Sequence, residues 1–370
     1  MRGGRFLSAL ILGALCCCPA APADSTTRDG IAQEPSPGSS PTRPVPLSPE
    51  IVAIRKAVER GLESVQKAAA KYPQHRHCFS CHHQTLPLLA VDTARSRGFP
   101  IDGQLPQALA ELTRNTFGGL VENMKEGKGV GGRAMTVGYG LWTLGMVADK
   151  PDETTEAMVE YLLKTQRPEG HWVGQVSRPP LEESYVTCTV LAIQGMQRYA
   201  VPSQRAAVDT AIAKANAWLA TAAVKGQEDK AARLWGLHLL GAKPEELREA
   251  RALVLKGQHA NGGWSQLDEM DSDAYATGQT LYILHATGLD SADQAYQRGV
   301  RFLLQTQRPD GSWLVVSRSK PIQPYYASDD EDPLGKNQFI SVPATSWAVA
   351  ALAVANPASR GESPARKFNP

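Results

Sequence analysis

The sequence predicts an all-α fold, an (α/α)6 toroid of six helix hairpins set as an inner and an outer ring. Three observations point there. Strand signals are scarce, whereas helical stripes of apolar residues recur along the chain. A Q-x3-G-x-W motif occurs three times, as Gln166, Gly170 and Trp172, as Gln258, Gly262 and Trp264, and as Gln307, Gly311 and Trp313. The Gln-to-Gln spacings are 92 and 49 residues, nearly two to one, so one degenerate repeat is expected between the first two copies. A period in the forties marks an array of supersecondary units, and scarce strands exclude a propeller.

Residues 1–23 read as a secretory signal. Arg2 and Arg5 lead an apolar run, Leu7 to Cys18, too short to span a bilayer, and Ala21-Pro22-Ala23 suits a signal peptidase. Export, periplasmic or secreted, is therefore expected. Cys16, Cys17 and Cys18 raise a lipoprotein alternative, but the residues before each make a poor lipobox. Residues 24–49 are rich in Pro and Ser and too polar to offset their ordering entropy, so a disordered linker is expected, with a similar tail at 357–370. The folded unit is then 50–356. It holds no run of 18 apolar residues, so no transmembrane helix is expected in the mature chain. A net charge of +2 argues against a nucleic-acid partner.

Helical periodicity and turn residues divide 50–356 into six pairs. The first three are 51–70 with 83–97, 104–124 with 134–148, and 153–166 with 184–198. The others are 204–221 with 228–240, 245–258 with 273–287, and 292–307 with 343–355. Each motif lies where an amphipathic helix stops at Pro or Asn and Gly. Second helices are apolar or small nearly all round and are expected inside; first helices carry charge on one face and are expected outside. Gln84-Thr-Leu-Pro-Leu-Leu89 aligns with Gln279-Thr-Leu-Tyr-Ile-Leu284, which puts the first and fifth inner helices in register. An open α-solenoid is the alternative to closure.

The three motifs resemble the QW motifs of squalene–hopene cyclases and their relatives, including protein prenyltransferase β subunits. The resemblance covers most of 50–356. It implies that the Gln and Trp of each copy are structural braces tying outer to inner helices. The chain is also similar to uncharacterised exported bacterial toroid proteins. The segments that carry this are Cys78–Gln84, Arg178–Glu182, Asp273–Gln279, Ser317–Ser319 and Thr345–Ala348. That group implies no function. Class II cyclases protonate an alkene with a D-x-D-D motif, whereas Asp271-Ser-Asp273-Ala274 lacks the last acid, and this chain is about half a full cyclase. The prenyltransferase zinc pattern D-x-C is absent at Cys188. Neither activity is expected.

The densest chemistry is His75-Arg-His77-Cys78-Phe-Ser-Cys81-His82-His83. Cys78-x-x-Cys81-His82 is a c-type haem attachment pattern: two thiols for the vinyl groups and His82 as iron ligand. Met124 and Met135 are candidate second ligands. A zinc site, a Cys78–Cys81 disulfide and an inert helix start are the alternatives. At the inner-helix starts, Glu182, Glu183, Asp271 and Asp273 are candidate catalytic carboxylates, since many (α/α)6 barrels cleave polysaccharides with two acids. Capping by Asp273 and Ser184 is the structural alternative. Tyr185, Tyr275, Trp347 and the pair Tyr325-Tyr326 are candidate cavity rings. The long connection Leu314 to Ser341, with the acidic run Asp329–Asp332, reads as a lid or a solvated loop. A hydrophobic or polymeric ligand in the central cavity is the expectation, with a haem redox protein and a carbohydrate hydrolase or lyase as alternatives.

Overall fold

The computed structural model describes residues 48–148, 150–175, 177–320 and 334–356. The expected signal, the expected linker up to residue 47 and the tail, together with Tyr325, Tyr326 and Asp329–Asp332, lie outside the described residues. Among the described residues there are thirteen α-helices and no strand, only isolated bridges.

In chain order these are α1 (Pro49–His75), α2 (Leu86–Arg95), α3 (Leu105–Gly118), α4 (Val121–Lys125), α5 (Arg133–Met146), α6 (Glu153–Thr165) and α7 (Tyr185–Tyr199). There follow α8 (Arg205–Thr221), α9 (Gln227–Leu239), α10 (Pro244–Lys256), α11 (Ala274–Ala286), α12 (Gln294–Thr306) and α13 (Gln338–Ala355). Helix α2 packs on α5, α5 on α7, α7 on α9, α9 on α11, α11 on α13, and α13 returns to α2. The inner ring is therefore closed, and the open solenoid is excluded. Every α13 residue from Gln338 to Val354 is buried, whereas α10 buries only Val254. By composition α13, with the turn before it, is long and apolar enough to cross a membrane, but it is core: 94% of that window is buried.

Several boundaries differ from the sequence expectation. Ser48 caps α1, whose Oγ accepts from Ile51 N, so the fold begins inside the expected linker and α1 runs on to His75. The second outer helix breaks at Gly118 and Gly119 into α3 and α4. The first inner helix opens as a π-turn, Cys81–Thr85, in which Leu86 N bonds the Cys81 carbonyl. Pro87 has no N–H to offer His83 one turn back, which removes an α-helical bond there. The last inner helix starts five residues earlier than expected and carries Pro343 inside it.

The motifs are braces, with a division of labour the resemblance did not give. Each Trp ties outer to inner helix. Trp172 Nε1 donates to Leu162 O at 2.7 Å, and Trp172 N to Thr189 Oγ1 at 3.1 Å. Trp264 and Trp313 repeat both bonds, with Val254 and Thr277 and with Leu303 and Thr345. Each Gln instead ties one outer helix to the next outer helix. Gln166 Nε2 donates to Ala211 O at 2.8 Å, Gln258 Nε2 to Ala295 O at 2.7 Å, and Gln307 Nε2 to Ala57 O at 2.8 Å. The third brace joins α12 to α1 and so seals the outer ring. Gly311 has φ +83°, and a Cβ there would strike the Arg60 carbonyl, so only glycine fits the turn. The degenerate repeat expected between the first two motifs is the α8–α9 pair.

Candidate functional site

All six inner helices run the same way, so their N-terminal ends form one rim. About 13 Å down from it, at 1.5 Å per residue, lie Trp142, Trp235 and Trp347, the tenth, ninth and tenth residues of α5, α9 and α13. These are alternate helices of the ring, so rings that meet do so across the barrel. Trp142 lies 5.2 Å from Trp235 and 6.1 Å from Trp347, and all three are buried. Trp347 is thus part of a buried aromatic layer. These rings meet at the level of the central cavity where the hydrophobic guest was expected.

Above the layer is a cleft of about 650 Å3, lined among others by Glu182, Glu183, Tyr185, Trp218, Glu228 and Asp229. Glu228 stands in the first turn of α9. An acid there complements the helix dipole, but this side chain turns inward and is only 8% exposed. Its Oε1 accepts from Thr187 Oγ1 at 2.8 Å; its Oε2 accepts from Tyr275 OH at 2.9 Å and Gln279 Nε2 at 3.1 Å. Three inner helices, α7, α9 and α11, hold this one carboxyl. Burial pushes it up to about 7, against the pull of its three donors, with the charge of Asp229 adding to the rise. Asp229 accepts from Ser184 Oγ at 2.5 Å and Lys225 N at 2.8 Å. Burial, then the charge of Glu228, with Cys81 and Glu182 behind, raises the Tyr139 phenol, so these groups share one field.

The sequence-proposed acids separate. Glu182 and Glu183 line the cleft. Glu182 Oε1 accepts from the Cys81 thiol at 3.4 Å, and its Oε2 pairs with Arg178 at 3.1 Å. Glu183 pairs with Arg318 at 2.8 Å. Asp273 is a cap: its Oδ1 accepts from Ala276 N at 2.9 Å and its Oδ2 from Gln266 Nε2 at 2.9 Å. Burial raises it to about 6, yet the cap bonds occupy it, and Asp271 is exposed and not among the cleft residues. Ser184 also caps, accepting from Thr187 N at 2.9 Å. Tyr275 serves Glu228 and is buried; Tyr185, 52% exposed, stands on the cleft rim. Beside it His171 lies 5.8 Å from Tyr185 and stacks on Trp218 at 4.7 Å, which makes a three-ring shelf. Sequence reading missed Glu228, Asp229 and Trp218. The available signal was Gln227-Glu228-Asp229, three polar residues in a row at the start of an inner helix.

The thiol–imidazole segment is at the same rim, but its members part. Cys78 is exposed, 3.5 Å from Tyr72 OH; Cys81 and Cys188 are buried, and all three are free thiols. Burial and then the charge of Glu182 raise Cys81 well above its ordinary value. His82 meets His83 through their Nδ1 atoms and packs on Phe339 at 5.1 Å and Tyr72 at 6.2 Å. Burial lowers both imidazoles, His83 to about 3, so both are neutral. A covalent porphyrin needs both thiols on one edge and an open face of His82. Here one thiol faces solvent, the other faces Glu182, and rings enclose His82, so the arrangement does not fit haem. Among the described residues no three or more His, Cys, Asp or Glu side chains gather as a metal site.

No family model matches the chain, and no curated protein is significantly similar to it. Solved structures do match. The type II terpene cyclase MstE from Scytonema has a TM-score of 0.52 at 16% identity, over 84% of this chain and 100% of that one. A variant of it in complex with its substrate geranylgeranyl dihydroxybenzoate gives 0.53 at 14%, over 85% and 100%. A glycosidase in complex with glucose gives 0.53 at 12%, over 84% and 99%. Identities this low speak to fold alone. The chain accordingly has the squalene-cyclase-like α/α toroid fold, common to a terpene cyclase and a glycosidase.

Proposed function

We propose that this chain is an exported, carbohydrate-active toroid that takes a sugar chain in the mouth cleft, with Glu228 as proton donor. The observation that carries the reading is Glu228 itself. A buried carboxyl raised to about 7 can hold a proton at neutral pH and give it to a leaving glycosidic oxygen. Glu182, paired with Arg178 in the same cleft, takes the proton from attacking water in this reading. The C–O bond then breaks as the water oxygen bonds the sugar carbon. The His171–Trp218–Tyr185 shelf supplies flat apolar faces of the kind that sugar rings stack on. The alternative, a hydrophobic ligand deeper in the barrel, draws on the aromatic faces of Trp142, Trp235 and Trp347.

Affinity electrophoresis against soluble polysaccharides tests this. Trp218→Ala is expected to weaken retention about tenfold or more, and Glu228→Gln to keep retention but remove turnover. A polymer retained equally by wild type and Trp218→Ala, or cut at full rate by Glu228→Gln, sinks the reading.

A further inference from the structure

A second depression, of about 680 Å3, adjoins the mouth cleft: Gln175 lines both. Its charged lining is of one sign, Lys128, Arg133, Lys164 and Arg167. Lys128 pairs with Glu126 at 2.6 Å and Lys164 with Glu160 at 3.3 Å, so these two are partly neutralised. Arg133 and Arg167 have no carboxylate within ion-pair distance among the described residues. Both stand on fixed backbone. Arg133 pairs with Gly174 in an isolated bridge, and the adjacent Gly132 N donates to Gln175 Oε1 at 2.9 Å. Arg167 lies in the first Q-x3-G-x-W turn, its N–H bonded to His171 O at 2.9 Å.

A groove with unpaired arginines at one end and ion-paired carboxylates at the other selects on the spacing of charge. A polymer with a phosphate on every unit would compete with Glu182 and Glu183 for Arg178 and Arg318 and meet Asp229 with like charge. A neutral polymer would leave the two guanidinium groups unused. Resting on the carbohydrate reading above, we propose that the ligand is a polysaccharide in which acidic sugars alternate with neutral ones. The acidic group sits on Arg133 and Arg167 while a neutral ring stacks on Trp218 and Tyr185. A planar guanidinium suits a carboxylate or sulfate through paired N–H donors.

The experiment is calorimetric binding of the full chain to hyaluronan and to its carboxyl-reduced neutral form, at low and raised salt. The acidic polymer is expected to bind about tenfold tighter, with the advantage shrinking in salt. The double variant Arg133→Gln/Arg167→Gln is expected to lose that advantage and bind both forms alike. Trp218→Ala is expected to weaken both forms equally. Equal affinity of wild type for the two polymers, no binding of either, or unchanged discrimination in the double arginine variant overturns the proposal. If the arginine variant weakens the acidic polymer while Trp218→Ala changes neither, the basic site stands and the carbohydrate cleft falls.

Discussion

Glu228 sets the behaviour expected at the scale of single residues. Its folded-state value of about 7 lies above the ~4.3 of an unfolded glutamate. Between those values the folded chain holds a proton that the unfolded chain has released, so this group makes stability fall as pH rises through the window. The loss is complete above about 7 and is on the order of 3 kcal/mol. Glu228→Gln is therefore expected to match wild type near pH 5 and to exceed it in urea melts near pH 8. Parallel pH curves for the two proteins would refute that. His82 and His83 act with the opposite sign: their lowered values remove stability on acidification below ~6.5, and the Gln variant retains that limb. The thiols give a second check. Cys78 is expected to alkylate in the native protein, and Cys81 and Cys188 only on unfolding, as mass spectrometry of timed samples will show. Early labelling of Cys81 would contradict its packing. Little of this was legible beforehand. Glu228 looked like one more first-turn acid, and only its inward direction, fixed by Thr187, Tyr275 and Gln279 on two other helices, makes it unusual. Asp273, drawn out by a partial motif, caps α11.

At the scale of elements the sequence carried much more, because helix pairs are written in apolar stripes and Gly turns. The Gln–Trp motifs read directly as braces; which helix each Gln reaches depended on three-dimensional neighbours and could not be read. The braces also separate two kinds of defect. Gln307→Ala removes three hydrogen bonds, those donated to Ala57 O and Gly311 O and the one accepted from Arg60 Nη2, and is expected to cost about 1–2 kcal/mol. Trp313→Ala empties a site 1% exposed and is expected to cost about 3–5 kcal/mol. Gly311→Ala forces a Cβ against the Arg60 carbonyl at positive φ and should exceed Gln307→Ala. Chemical denaturation of the three variants checks the order, and a Gly311→Ala protein as stable as wild type would remove the turn argument. Where the element reading slipped, a local cause is visible: Gly118-Gly119 divides the second outer helix, and Pro87 follows the π-turn Cys81–Thr85.

For the molecule as a whole, closure is the decisive property. Contacts of α13 with both α11 and α2, and the Gln307–Ala57 bond between the last and first outer helices, make the terminal pair a keystone. A chain ended at Asn337 is expected to lose cooperative unfolding, because α2 and α11 would each expose a buried face. An open solenoid would survive that loss with its remaining repeats intact. Calorimetry decides between them. Closure is also what gathers Cys81, Glu182, Glu228 and Tyr275, far apart in the chain, around one mouth. The sequence placed the inner-helix starts on a common rim; the aromatic layer below it, where Trp142, Trp235 and Trp347 meet across alternate helices, came from the structure.

The account rests most heavily on a proton held at the floor of that mouth. Carbon-13 NMR of the glutamate carboxyls, with Glu228→Gln to assign the resonance, measures it directly, with and without a bound sugar polymer. The Glu228 signal is expected to titrate near 7 and to move when the polymer binds. Titration in the ordinary carboxylate range, or a midpoint indifferent to every sugar polymer that binds, would contradict the account.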